Sequence, residues 1–136
     1  MGIDNEKDEY VNNSRKLIFM TIGAFLIARM GSSRLPGKVM LRILGRPMIE
    51  LMVERVQASR LIDRIVVATS KDPSDDPLEN LAKSLKIGCH RGSLENIMER
   101  ICGAARAYSC ETIIELLGDN PLVHPELIDD VIKKIK

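Results

Sequence analysis

The sequence predicts an α/β domain built on a mostly parallel sheet with flanking helices. Two observations carry that expectation. Short apolar runs of β type alternate with longer stretches of helical period, and they do so through four β-α units, the pattern of βαβ crossovers. The length of 136 residues suits one domain and is sufficient to bury a core.

Residues 1–16 are polar, of mixed charge and without period, and are expected to form a disordered tail; residues 17–136 form the α/β domain. The first strand lies within Thr21 to Ala28. Pro47 opens a helix in which Met48, Met52, Val53 and Val56 share a face. "RIVVAT", Arg64 to Thr69, reads as a strand buried on both faces. Asp76 is a suitable N-cap and Pro77 a suitable first residue for the next helix, with Leu78, Leu81, Ala82 and Leu85 on one stripe. A short strand follows near Ile87 to His90. Ser93 is then expected to cap a helix whose stripe runs through Leu94, Ile97, Met98, Ile101, Ala104, Ala105 and Tyr108. "TIIELLGD" is the fourth strand, ending at Gly118-Asp119. Pro125 starts a last helix with Leu127, Ile128, Val131, Ile132 and Ile135 apolar. The whole is Rossmann-like and stops after those four units.

Composition excludes several classes. Lys and Arg total 20 against 19 Asp and Glu, so a net charge of +1 gives no broad footprint for a nucleic acid polymer or an acidic membrane. Aromatics at 3% and the lack of Trp argue against base-stacking platforms. The apolar run Leu17 to Ala28 is shorter than the roughly 18 residues of a spanning helix. Cys89, Cys102 and Cys110 lack paired spacing and read as reduced, buried thiols of a cytoplasmic protein. The methionines read as core filler.

The segment "ARMGSSRLPGKVM", Ala28 to Met40, has the residues of a phosphate loop. A P-loop needs four residues between its glycines and a hydroxyl after the lysine. Here Ser32 to Pro36 separate Gly31 from Gly37, and Val39 follows Lys38, so this is a different phosphate site. In a doubly wound sheet, ligands bind beyond the carboxyl ends of the strands where the strand order reverses. The first and fourth strands are expected to be neighbours there, bringing "ARMGSSRLPGK" beside "GDNPL". Each segment alone is compatible with an ordinary turn, but their shared position favours a site. Gly31 and Gly37 allow close backbone approach, Ser32 and Ser33 add hydroxyl donors, and Arg29, Arg34 and Lys38 add charge. Asp119 offers a hard oxygen ligand for Mg²⁺.

Together, "ARMGSSRLPGK", "DRIVVATS", "DDPLENLAKSL", "RGSLENIMERI" and "GDNPLVHPELIDDVI" resemble the cytidylyltransferase-like proteins of spore coat polysaccharide biosynthesis. These are relatives of the CMP-sialic acid and CMP-3-deoxy-manno-octulosonate synthetases. The resemblance runs from Ile22 to Ile132. It implies a nucleotide-diphospho-sugar transferase (GT-A-like) fold, cut short here, that transfers CMP from CTP to a sugar acid with Mg²⁺ and release of pyrophosphate. It places Ala28 and Arg29 beside the nucleotide and Ser32, Arg34 and Lys38 on the phosphates. Asp119 holds the metal, and Arg34, Lys38 and Asp119 form the catalytic set. Ala68 and Thr69, with Arg91, Gly92 and Ser93, would line the base and ribose pocket.

The sequence departs from the family at Ile27, where Gln is common, and at Glu115 and Leu117, where a basic residue and a hydroxyl are frequent. Family members are also longer, with later strands that complete the sheet and the sugar pocket. The fourth strand is therefore expected to be an apolar edge that favours a homodimer or other self-association. Two other readings stand beside the leading one. One is an inactive nucleotide- or protein-binding module; the other is a sugar-1-phosphate or molybdenum-cofactor nucleotidyltransferase of the same broad fold.

Overall fold

The structure is a computed structural model that describes residues 20–136; the expected tail, residues 1–16, lies outside the described residues. Strand β1 (Ile22–Ile27) is the middle of the molecule because it is apolar on both faces, with Ile22 through Leu26 buried. It pairs in parallel with β4 (Arg64–Ser70) on one side and with β6 (Thr112–Leu117) on the other. Strand β5 (Gly88–Gly92) adds in parallel to β4, giving the order β5-β4-β1-β6. A separate antiparallel pair, β2 (Arg42–Ile43) and β3 (Arg46–Pro47), precedes the first helix.

Helices α1 (Met48–Gln57), α2 (Asp76–Ser84) and α4 (Pro125–Ile135) contribute to one core through Ile49, Met52, Leu78 and Ile132 among others. Helix α3 (Ile97–Ala107) sits in a second core, where Ile101 and Ala104 meet Phe25 and Val66. Alternation along β1 divides its side chains between the two: Ala24 and Leu26 join the first, Phe25 the second. Each fully buried Ile or Leu contributes about 1.5–3 kcal/mol through removal from water. The α/β sheet with flanking helices is thus as the sequence predicts, and the reversal of strand order falls between β1 and β6.

The element boundaries depart from expectation in instructive places. Winding begins one turn before α2, in a 3₁₀ turn Pro73–Asp75, and Asp72 caps it by accepting the Ser74 N–H at 2.9 Å. The Asp-Pro signal is real but belongs to Asp72-Pro73; Asp76 is already helical. Likewise α3 starts at Ile97 and is capped by Asn96, which accepts from the Glu99 N–H. Ser93 closes the preceding turn by accepting from the Asn96 N–H. Leu94, Ile97 and Met98 therefore stand outside the core, and Met98 is 65% exposed, so not every methionine is filler. Cys110 is buried, Cys89 half-buried and Cys102 exposed, which corrects the expectation of three buried thiols.

At the far edge, Ile114 and Leu116 pack inward while Glu115 and Leu117 are exposed. Ile128 and Ile132 of α4 are buried, but Leu127, Val131 and Ile135 face solvent. Helix α4 therefore gives one stripe to the core and leaves the adjacent one exposed. Asp129, buried on the same helix, accepts from the Ser59 hydroxyl and from the Arg60 and Leu61 N–H groups, which ties α4 to the end of α1.

Candidate functional site

The loop after β1 is held by its own backbone and by one buried carboxylate. Gly37 N–H donates to the Met30 carbonyl at 2.8 Å and closes the turn, with Gly37 at φ +69°, a conformation that a side chain disfavours. The Leu35 N–H donates to the Ser32 hydroxyl at 3.3 Å. Met30 N–H donates to Asp75 at 2.6 Å, and Asp75 also accepts from the Ser70 N–H and hydroxyl. Asp75 is 1% exposed. A carboxylate with three donors fixes the loop's first turn against the end of β4.

The opposite wall is the end of β6. Gly118 N–H donates to the Ile27 carbonyl at 2.9 Å, and a Cβ at Gly118 would lie 2.8 Å from the Ala28 Cβ. This close approach carries Asp119 to the loop, where Lys38 Nζ meets Asp119 Oδ2 at 2.6 Å. Both side chains are about two-fifths exposed, so the pair itself is worth about 0–1 kcal/mol.

The hydrogen bond from Lys38, followed by its charge, holds the Asp119 carboxyl below its ordinary range despite partial desolvation. Because the folded value is depressed, the pair's stabilisation is present above the unfolded carboxyl pKa and is lost as pH falls through the folded value. A carbon-13 titration should therefore find Asp119 ionised at lower pH than a free aspartate, and Lys38→Ala should move its midpoint upward. An unchanged midpoint in that variant would show that the contact does not persist in solution.

Between these walls lies an open cleft of about 780 Å³. Ala28, Arg29, Gly31, Ser32 and Ser33 line it, together with Arg34, Lys38 and Asp119. The other expected residues lie elsewhere. Ala68 and Thr69 are fully buried within β4. Arg91 faces α2, bonded to Asp76 at 2.6 Å and Glu79 at 3.0 Å, and its guanidinium is pushed up chiefly by the Asp76 contact. Gly92 backs onto Arg100, and Ser93 serves the turn before α3.

Sequence reasoning missed the α3 side of the cleft, which is formed by Leu94, Glu95, Ile97 and Arg100. It also missed Asp75. The signal for the latter was the pair of adjacent carboxylates in "SDDP", of which the first, Asp75, faces inward. At the three departures from the family pattern, Ile27 and Leu117 pair across β1 and β6 and line the cleft, while Glu115 faces solvent.

As a Mg²⁺ site the cleft offers Asp119, whose Oδ2 takes Lys38, with Glu95 the second carboxylate of the lining. No cluster of three or more acidic, His or Cys side chains suited to a metal is present among the described residues. That donor set fits an ion which keeps waters and takes its remaining ligands from a triphosphate. No described helix is long and apolar enough to cross a membrane.

The donor-rich loop and the carboxylate thus face each other at the reversal point of the parallel sheet, where such sheets bind ligands. The family model described as cytidylyltransferase matches residues 24–136, and the chain belongs to that family. It is 41% identical over 112 residues to the spore coat polysaccharide biosynthesis protein SpsF of Bacillus subtilis, covering 78% of this chain and 46% of that protein. A solved cytidylyltransferase from Leptospira borgpetersenii superposes with a TM-score of 0.80 at 34% identity, covering 85% of this chain and 48% of that one. CMP:2-keto-3-deoxy-manno-octonic acid synthetase, solved in complex with CTP, gives a TM-score of 0.73 at 26% identity over 85% of this chain and 47% of that one. The chain thus spans about half the length of the relatives it matches.

Proposed function

We propose that this chain forms the nucleotide-binding half of a CTP-dependent transferase that activates a sugar acid with CMP for surface polysaccharide synthesis. The carrying observation is the Lys38–Asp119 pair at 2.6 Å, which joins the loop after β1 to the end of β6. In the free protein the two groups neutralise each other. A magnesium triphosphate offers each a stronger partner, anionic oxygens for Lys38 and a hard cation for Asp119. Ser32, Ser33, Arg34 and the Gly31 amide take the remaining phosphate oxygens.

A hydroxyl oxygen of the sugar acid then attacks the α-phosphorus. The bond from that phosphorus to the bridging oxygen breaks, pyrophosphate leaves with the electron pair, and the hydroxyl proton passes to water. Bound Mg²⁺ supplies neutralisation of the charge that develops on the leaving group. The protein's part is positioning and electrostatics. Support for the substrate class comes from the polysaccharide role in one relative's name and the CTP complex of another. Free cysteines without a bridge among them fit a reducing, cytoplasmic setting.

CTP with Mg²⁺ is expected to shift the amide resonances of Gly31 to Lys38 and of Asp119, and silence throughout that set would sink the reading. Lys38→Ala should weaken CTP by roughly 1.5–3 kcal/mol, the value of a charge-assisted hydrogen bond, and leave bare cytidine unaffected. A CTP, UTP, GTP and ATP panel separates this reading from transferases of other bases. Pyrophosphate release that disappears in Asp119→Ala separates an enzyme from a binding module. Release by this chain alone is expected to be poor, because about half of each relative's length lies outside the match. The β6 edge and the exposed Leu127, Val131 and Ile135 also offer a surface to a second copy. Sedimentation at several concentrations tests that pairing, and a single monomeric species throughout would exclude it.

A further inference from the structure

We propose that Tyr108 closes the β5 margin of the sheet: its hydroxyl occupies the place of a neighbouring strand, so that a second copy can add a strand only at β6. The order β5-β4-β1-β6 leaves two margins, and unpaired backbone groups at a margin are a template for another chain. In a parallel ladder, alternate residues turn their N–H and C=O groups to opposite sides of the strand. The Gly92 carbonyl accepts from the Lys71 N–H at 3.0 Å, on the β4 side. Counting back by alternation, Cys89 directs both of its backbone groups outward.

One side chain takes both. The Cys89 N–H donates to the Tyr108 hydroxyl at 2.8 Å, and that hydroxyl donates to the Cys89 carbonyl at 3.0 Å. A phenol is donor and acceptor at once, so it meets the same two groups that a strand would. Gly88 makes the approach possible, because a Cβ there would lie 2.7 Å from the tyrosine Cε1 and 3.0 Å from its hydroxyl oxygen. Tyr108 is fixed in turn by its place at the end of α3, against the second core. The other outward residue of β5, Arg91, puts a charge on the same short edge. Strand β6 is different. Its Thr112 and Gly118 N–H groups donate to Thr21 and Ile27 of the β1 side, which turns Ile113 and Glu115 outward. Among the described residues, the backbone groups of those two meet no cap. Neither Tyr108 nor Gly88 lines the nucleotide cleft, so the proposal is independent of what that cleft binds.

Two variants of the intact chain test it by opposite routes. Tyr108→Phe keeps the ring and removes the hydroxyl, whereas Gly88→Ala keeps the hydroxyl and displaces the ring. Amide exchange at Cys89, sedimentation over a range of concentrations, and intermolecular NOEs between differently labelled copies are measured for each. In wild type the Cys89 N–H should be protected at every concentration, with no intermolecular contact at Cys89 or Arg91. In dilute samples of both variants it should exchange about two- to tenfold faster, the scale of one lost hydrogen bond. Self-association of both should strengthen by about tenfold or more, with new intermolecular contacts at β5. Faster exchange at Cys89 without added association would leave Tyr108 an ordinary hydrogen-bonding side chain and overturn the proposal. Contacts between β5 strands in wild type would overturn it too. If neither variant folds, wild type decides: an unprotected Cys89 N–H or a β5 contact sinks the proposal, and protection without such a contact upholds it.

Discussion

Asp75→Ala is expected to destabilise the domain by about 3–5 kcal/mol, the largest single-residue effect outside the apolar cores, because one buried anion satisfies several donors. The substitution orphans the Met30 N–H, the Ser70 N–H and the Ser70 hydroxyl, all of which now converge on that carboxylate. It also removes the negative charge felt by the buried Arg100. The midpoint of thermal unfolding should fall by roughly 10–20 °C in a domain of this size. Asp75→Asn should lie between wild type and alanine, since its carbonyl keeps an acceptor while its amide adds donors where donors already meet. Loss below about 1 kcal/mol in the alanine variant would mean that water or a relaxed loop replaces the carboxylate.

Gly118→Ala is expected to cost function more than stability. An added Cβ would stand 2.8 Å from the Ala28 Cβ and 2.9 Å from the Ile27 carbonyl oxygen, both on the end of β1 and neither free to swing away. Overpacking of this kind costs about 1–3 kcal/mol of stability. Its sharper consequence is geometric, because the strand tips that carry Ala28 and Asp119 must separate. A displacement of about 1 Å at reacting groups can reduce turnover on the order of a hundredfold. Measured on the longest active form of the protein, pyrophosphate release should drop on that scale while the circular dichroism spectrum stays native. Full activity would show that the Gly118 contact does not set the position of Asp119.

The parallel sheet was readable because its signal is redundant: β1 is apolar throughout, β4 is apolar from Ile65 to Ala68, and each intervening helix carries its own stripe. The neighbouring of β1 and β6, and with it the meeting of Lys38 and Asp119, followed from topology alone. Short-range ambiguities defeated the finer reading. "KDPSDDP" contains two Asp-Pro steps, and which of them caps the helix depends on where winding begins. The Leu94-Ile97-Met98 stripe has helical period, but the helix is capped only at Asn96, and Leu94 and Ile97 line the cleft while Met98 faces solvent. Arg100 reads in sequence as a polar residue on a solvated helix face. Its burial arises from Gly92 on a different element, which leaves room for the side chain to cross.

The register of β1 against β6 pairs Ile22 with Thr112 and Ile27 with Leu117, partners about ninety residues apart in the chain. During synthesis, at about 5–20 residues per second, that separation leaves one side of β1 without its neighbour for on the order of ten seconds. Contacts so distant in sequence also slow spontaneous folding, since a long loop must close before any pairing is gained. Lys38 can meet Asp119 only after β6 has docked. The two walls of the cleft therefore come together late relative to the loop itself, and a nascent chain holds only one of them until Asp119 has left the ribosome.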